Sequence, residues 1–209
     1  MPHPTKPDPL AVREALGGVG ADKVVVDAAA GTVFLSDPRT RIGFGAIGKG
    51  WAANVGARVL RGHGASGGVV NAGGDLLAFG RREDGRPWHV GIANPLDRDR
   101  VFGYLEVTDL AVVTSGDYES YVTIDGERFS HIVDPRTGYP AREVRSATIV
   151  CPDAELADAL ATAVSVLGVA QGLALIDALN GVEGLLVDER GKIHLSANLA
   201  GQLVDQEEP

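Results

Sequence analysis

The chain has very little sulfur: one cysteine, Cys151, and one methionine in 209 residues. A lone cysteine excludes an intramolecular disulfide, so redox chemistry does not fix the compartment. Aromatic residues are only 5% of the sequence, which leaves Val, Leu, Ile and Ala to fill the core that a 44% apolar chain can bury. No apolar run approaches the ~20 residues of a membrane-spanning helix. Positive charge is scarce as well, with 19 Lys and Arg against 28 Asp and Glu and a net charge of −9. Such a balance excludes bulk attraction to nucleic acid or an anionic membrane. A phosphate compound would therefore have to be met by local donors or a metal cation. The opening MPHPTKPDP has no apolar signal core, so as written the chain is expected to be soluble and cytoplasmic.

Glycine, by contrast, is plentiful at 28 residues, which implies tight turns and close backbone approach. Residues 1–9 are proline-rich and expected to be flexible, and the acidic tail 205–209 is expected to be disordered. Between them, Leu10–Leu16 reads as a short helix, and Lys23–Asp27 with Thr32–Leu35 as a strand pair. Ile47–Leu60 has helical spacing, with Trp51, Val55 and Val59 as its apolar face. Strands are expected at Gly67–Asn71, Leu76–Phe79, Pro87–Ile92, Val101–Val107 and Ala111–Val113. Tyr121–Ile124 and Arg128–Val133 form a hairpin around Asp125-Gly126, a dipeptide that tolerates positive φ. In that second strand Phe129, His131 and Val133 would share a face. Asp153 caps a helix to Leu167, with an apolar stripe of Leu156, Leu160, Ala163 and Leu167. A second helix, Leu173–Leu179, stops at Asn180-Gly181. A hairpin of Gly184–Val187 and Lys192–Leu195 follows. The class is α+β with mostly antiparallel strands.

Several polar groupings carry chemical potential. In Gly45-Ala46-Ile47-Gly48-Lys49-Gly50, ahead of a helix, backbone N–H groups can face an anion and Lys49 can reach a phosphate. The alternative is a flexible turn with a solvated lysine. Asn71-Ala72-Gly73-Gly74-Asp75 lies between strands, either as a plain hairpin turn or as a place for a flat ring or phosphate against the backbone. Asp158 and Thr162 are four apart on one helical face. They suit a hard cation through oxygen, or else Asp158 answers the helix dipole and Thr162 bonds back to its own helix. The stretch Thr114–Pro140 gathers Thr114, Ser115, Tyr118, His131, Asp134 and Thr137. A lone histidine is usually structural or solvated, but here His131, beside Asp134 and Thr137, has the company a general base needs. No GxSxG elbow surrounds Ser115.

The ordered blocks GAIGKGWA, NAGGD, TSGDYESY, HIVDPRTGYP and ADALATAVSVLG, over roughly residues 40–168, resemble the ApbE family of FAD:protein FMN transferases. The resemblance implies a T-fold-like α+β architecture over 10–204 with FAD as substrate and Mg²⁺ in a cleft. It implies cleavage of the FAD pyrophosphate, attachment of FMN to a Thr hydroxyl of an acceptor flavoprotein, and release of AMP. His131 is similar to the family's base, supported by Asp134. Asp158, Thr162 and the carbonyl near Ala46 match metal-ligand positions. Lys49, Asn71, Gly73, Gly74, Asp75, Thr114, Ser115, Gly116, Tyr118 and Thr137 match positions lining the flavin cleft.

The sequence departs from the family's pattern at Asn54 and Gly43, where acidic residues are common. It also lacks the usual N-terminal segment, so the fold is expected to be N-terminally truncated. The chain would then be a homodimer or be completed by another chain, and it would be extracytoplasmic or envelope-associated if its true start carries a signal. FAD hydrolysis to FMN and AMP, and a degenerate flavin-binding subunit, are the alternative activities.

Overall fold

Small and apolar residues, Arg145 apart, fill Val144–Cys151, a strand buried along nearly its whole length. The computed structural model describes residues 4–95, 97–199 and 203–204. The expected acidic tail, 205–209, lies outside the described residues. The chain divides into two units, one of Met1–Gly43 with Tyr121–Ala141 and one of Phe44–Ser120 with Arg142–Pro209.

The larger unit is layered. Its helices are α2 (Gly48–Gly62), α3 (Ala154–Leu167) and α4 (Val169–Asp177). Its main sheet has β3 (Gly68–Ala72), β4 (Asp75–Phe79), β7 (Leu110–Gly116), β10 (Val144–Cys151), β11 (Glu183–Asp188) and β12 (Ile193–Leu195). Their order is β12-β11-β10-β7-β4-β3, and every pairing is antiparallel. A second sheet has β5 (Trp88–Asn94), β6 (Asp97–Val107) and β13 (Leu203–Val204), in the order β13-β6-β5.

Strand alternation sends side chains of the main sheet to two cores. Ala111, Val113, Ala147 and Ile149 meet the helices. Val112, Val150, Leu185 and Val187 meet Val90, Ile92, Leu105 and Val107 of the second sheet. Cys151 is fully buried in the helix-side core.

α2 buries a different face from the one its large residues suggested, and α3 keeps Leu160 of its expected stripe inside but not Leu156. On α2 the buried residues are Gly50, Ala53 and Ala57, whereas Trp51 and Val59 are exposed. On α3 they are Ala154, Ala157, Asp158, Leu160, Ala161, Val164 and Ser165, and Leu156 is exposed. The reason is close approach between small residues: a Cβ on Gly50 would meet the Ala154 carbonyl oxygen at 2.1 Å. Asp153 caps α3 as its sequence indicated, accepting from the Glu155 and Leu156 amides.

The smaller unit holds α1 (Pro9–Leu16), capped by Asp8, and two hairpins, β1 (Val24–Asp27) with β2 (Thr32–Leu35) and β8 (Tyr121–Ile124) with β9 (Glu127–Ser130). Helix α1 begins inside the stretch expected to be flexible. The strand expected over Arg128–Val133 ends at Ser130, because the Ser130 hydroxyl takes the Ile132 amide at 3.2 Å. Val133 then bridges Pro140 instead of extending the hairpin. His131 therefore lies in a bend, and the alternation of Phe129, His131 and Val133 on one strand face does not hold.

Candidate functional site

In the larger unit the polar residues converge where α2 begins. Of the first-turn amides that have no intrahelical partner, that of Gly50 donates to Asp158 Oδ2 at 3.0 Å. The anion facing this glycine-rich helix start is thus the protein's own carboxylate. Ala46 lies in the turn leading into the same helix end. Asp158 is only 1% exposed, and no second hydrogen bond engages it among the described residues. Thr162, one turn further along α3 and half-buried, makes no bond back to its helix, whereas Ser165 bonds to the Ala161 carbonyl at 2.8 Å. Of the two readings of the Asp158–Thr162 pair, the self-bonded threonine is the one the geometry does not support.

The NAGGD segment is a two-residue hairpin turn, with Gly73 and Gly74 at φ of 68° and 104° and Asn71 Oδ1 accepting from the Gly74 amide. Only glycine takes both positions without strain. The turn delivers Asp75, which is wholly buried, to the helix side of the sheet. There Lys49 Nζ donates to Asp75 Oδ1 at 3.0 Å. The other oxygen, Oδ2, is buried with no hydrogen-bond partner among the described residues.

Burial pushes the Asp75 carboxyl up to about 6 despite Lys49, and Asp158 and Glu119 push the same way. Burial lowers Lys49, but its bond to Asp75 and the surrounding acids prevail and raise it. Both partners of one pair therefore move upward. At Asp75 desolvation wins because Lys49 compensates only one of its two oxygens.

Thr114 and Ser115 leave β7 on opposite faces. The Thr114 hydroxyl meets that of Thr148 at 2.9 Å on β10, while the nearly buried Ser115 faces the helices. Thr114 lines a cavity of about 280 Å³ with Gly74, Leu76, Val112, Tyr118 and Glu119. The Tyr118 ring lies against Gly116, where a Cβ would meet it at 2.5 Å. Glu119 and Thr148 join this region without a sequence signal of their own. The signal for Thr148 would have been its register opposite Thr114.

In the smaller unit, His131 is exposed. Asp134 organises the turn after it. Its carboxylate takes the Arg136 guanidinium in a two-pronged pair, both contacts at 2.9 Å, as well as the Arg136 amide. Its carbonyl takes the amides of Thr137 and Gly138. Arg136 holds the Asp134 carboxyl below the usual carboxylate range, so it stays ionised. Thr137 Oγ1 accepts from the Tyr139 amide. Gly138 packs on Val12 and Leu16 of α1.

The ApbE family model matches residues 1–186. The chain belongs to the ApbE family. A Vibrio cholerae protein named FAD:protein FMN transferase is 38% identical over 143 residues, covering 68% of this chain and 43% of the relative. One of Treponema pallidum with the same name is 35% identical over 212 residues, 94% of this chain and 59% of the relative. The crystal structure of the Thermotoga maritima ApbE protein superposes with a TM-score of 0.88 at 35% identity, covering 96% of this chain and 65% of that one. This chain spans about half the length of the curated relatives it matches. The α+β ApbE architecture expected from the motifs is the one observed.

Proposed function

We propose that this ApbE chain carries the catalytic region of a magnesium-dependent FAD:protein FMN transferase, which moves FMN to a Thr hydroxyl of an acceptor flavoprotein and releases AMP. The observation that carries the reading is the Asp158–Thr162 pair: a buried carboxylate with one oxygen uncommitted among the described residues, and a hydroxyl one turn away with no helical bond. Among the described residues no three His, Cys, Asp or Glu side chains gather as a metal site. An oxygen set of Asp158, Thr162 and the Ala46 carbonyl contains only one such side chain and suits a hard cation such as Mg²⁺. When bound there, the cation offsets charge on the pyrophosphate oxygens.

The chain's own groups do the rest by position and proton transfer. Lys49, at the entry to α2 and paired with Asp75, keeps part of its side chain exposed to meet a phosphate. Gly73 and Gly74 leave the backbone open, and Thr114 and Tyr118 border the cavity in which part of the flavin nucleotide is held, with Asn71, Asp75, Ser115 and Gly116 shaping its surroundings. His131 takes the proton of the acceptor Thr as that oxygen forms its bond to the FMN phosphorus and the AMP oxygen leaves. Asp134 and Thr137 fix the turn that follows His131. Because His131 is exposed, water can replace Thr there, giving FMN and AMP. Incubation with FAD, Mg²⁺ and a Thr-bearing acceptor peptide, followed by chromatography, separates the two outcomes. The reading expects peptide-bound FMN with matching AMP. It fails if no flavin joins the peptide while a longer relative labels it in parallel.

A further inference from the structure

We propose that Asn54 is a positioning residue that sets the Asp158 carboxylate by clasping the first turn of α3 to α2. Its side-chain nitrogen donates to Asp153 Oδ1 at 2.7 Å, and its side-chain oxygen accepts from the Ala154 backbone amide at 3.1 Å. One residue therefore ties down both the cap of α3 and the first amide of that helix. One turn away along α3 stands Asp158, held by the amide of Gly50, which is one turn from Asn54 along α2. The result is a frame: Gly50 and Asn54 on one helix, Ala154 and Asp158 on the other, with hydrogen bonds across both ends.

Between those ends Gly50 lies against the Ala154 carbonyl, where a Cβ would meet the oxygen at 2.1 Å, so neither helix slips without disturbing both ends. The clasp requires a side chain that donates to a carboxylate and accepts from an amide at once, which the carboxamide of asparagine does. An aspartate would set two carboxylates face to face, and an apolar residue would leave the Ala154 amide without its partner. The frame stands on geometry alone, whereas its consequence for function rests on the proposed role of Asp158 as a cation ligand.

The test compares the full chain with Asn54→Ala, Asn54→Asp and the double variant Asn54→Asp with Asp153→Asn, which exchanges donor and acceptor. Two quantities are read well below the unfolding midpoint: hydrogen exchange at the Gly50 amide by NMR, and Mn²⁺ affinity by electron paramagnetic resonance. Both single variants should speed Gly50 exchange by about tenfold or more and weaken Mn²⁺ by about 10–100-fold, and the double variant should recover most of both. Unchanged Gly50 exchange in the folded single variants overturns the proposal, as does a double variant no better than Asn54→Asp. If the unaltered chain binds no Mn²⁺, the cation reading of Asp158 falls, and Gly50 exchange still decides the clasp. Faster exchange at Gly50 with undiminished Mn²⁺ affinity overturns the positioning role.

Discussion

Two hairpins in this protein turn on the same chemistry and end in different circumstances. β3–β4 reverses through Gly73-Gly74 and β8–β9 through Asp125-Gly126, and each turn places two residues at positive φ. Beyond the first turn, Asp75 is wholly buried and paired with Lys49 in a six-stranded sheet. Beyond the second, Glu127 pairs with Lys6 in the open, and Tyr121 and Val122 are exposed on a two-stranded sheet. Local sequence fixes the turn in both. Burial decides whether the charge beside it matters.

The largest contrast is expected from removing the lysine at each hairpin. Lys49→Met leaves the buried Asp75 carboxylate without its cation and should cost about 2–3 kcal/mol near neutral pH, discounted for the half-exposed lysine. Lower urea midpoints would report it, and the loss should shrink in acid as Asp75 takes a proton. Next comes the pH slope itself. The folded Asp75 value of about 6 lies above its ordinary 3.8, so the folded state holds more protons than the unfolded one between these values. Stability from this group should therefore fall as pH rises through that window. Asp75→Asn should flatten this part of the profile in urea titrations.

A smaller effect compares the turns. Gly74→Ala and Gly126→Ala each place a side chain at positive φ, 104° and 79°, at a similar local cost of about 1–2 kcal/mol. Thermal midpoints should drop comparably, while FAD binding followed by flavin fluorescence should weaken only for Gly74→Ala, which borders the cavity. The smallest effect is Lys6→Met. Its exposed pair with Glu127 should contribute at most about 1 kcal/mol, with a urea midpoint close to that of the unaltered chain.

The features legible in the sequence were those whose cause is local. Asp125-Gly126 and Gly73-Gly74 specify their turns, Asp153 specifies a cap, and the Asp158–Thr162 spacing places both side chains on one helical face. What was not legible depends on partners distant in sequence. Trp51, Val59 and Leu156 mark an apolar stripe by size, but Gly50, Ala53, Ala157 and Ala161 face inward because small residues let two helices close on each other. The end of β9 turns on the Ser130 hydroxyl capturing the Ile132 amide, which no alternation pattern encodes. Lys49 and Asp75 were each visible as polar motif residues. Their pairing, and the orphaned Asp75 oxygen, required the hairpin to be folded against α2. Thr114 and Ser115 read as one motif, and strand alternation sends them to opposite layers.

The proposed cation seat of an FMN-transferring site lies at the start of α2 and the first turns of α3. The initial rate of AMP release from FAD in the presence of a Thr-bearing acceptor, followed across Mg²⁺ concentrations, tests it most directly when the unaltered chain is compared with Asp158→Asn. The expected result is a saturable dependence on Mg²⁺ in the unaltered chain and a loss of about a hundredfold or more in the variant at the same Mg²⁺. Release of AMP at an equal rate in both proteins, or undiminished release after chelation of all divalent cation, would contradict it.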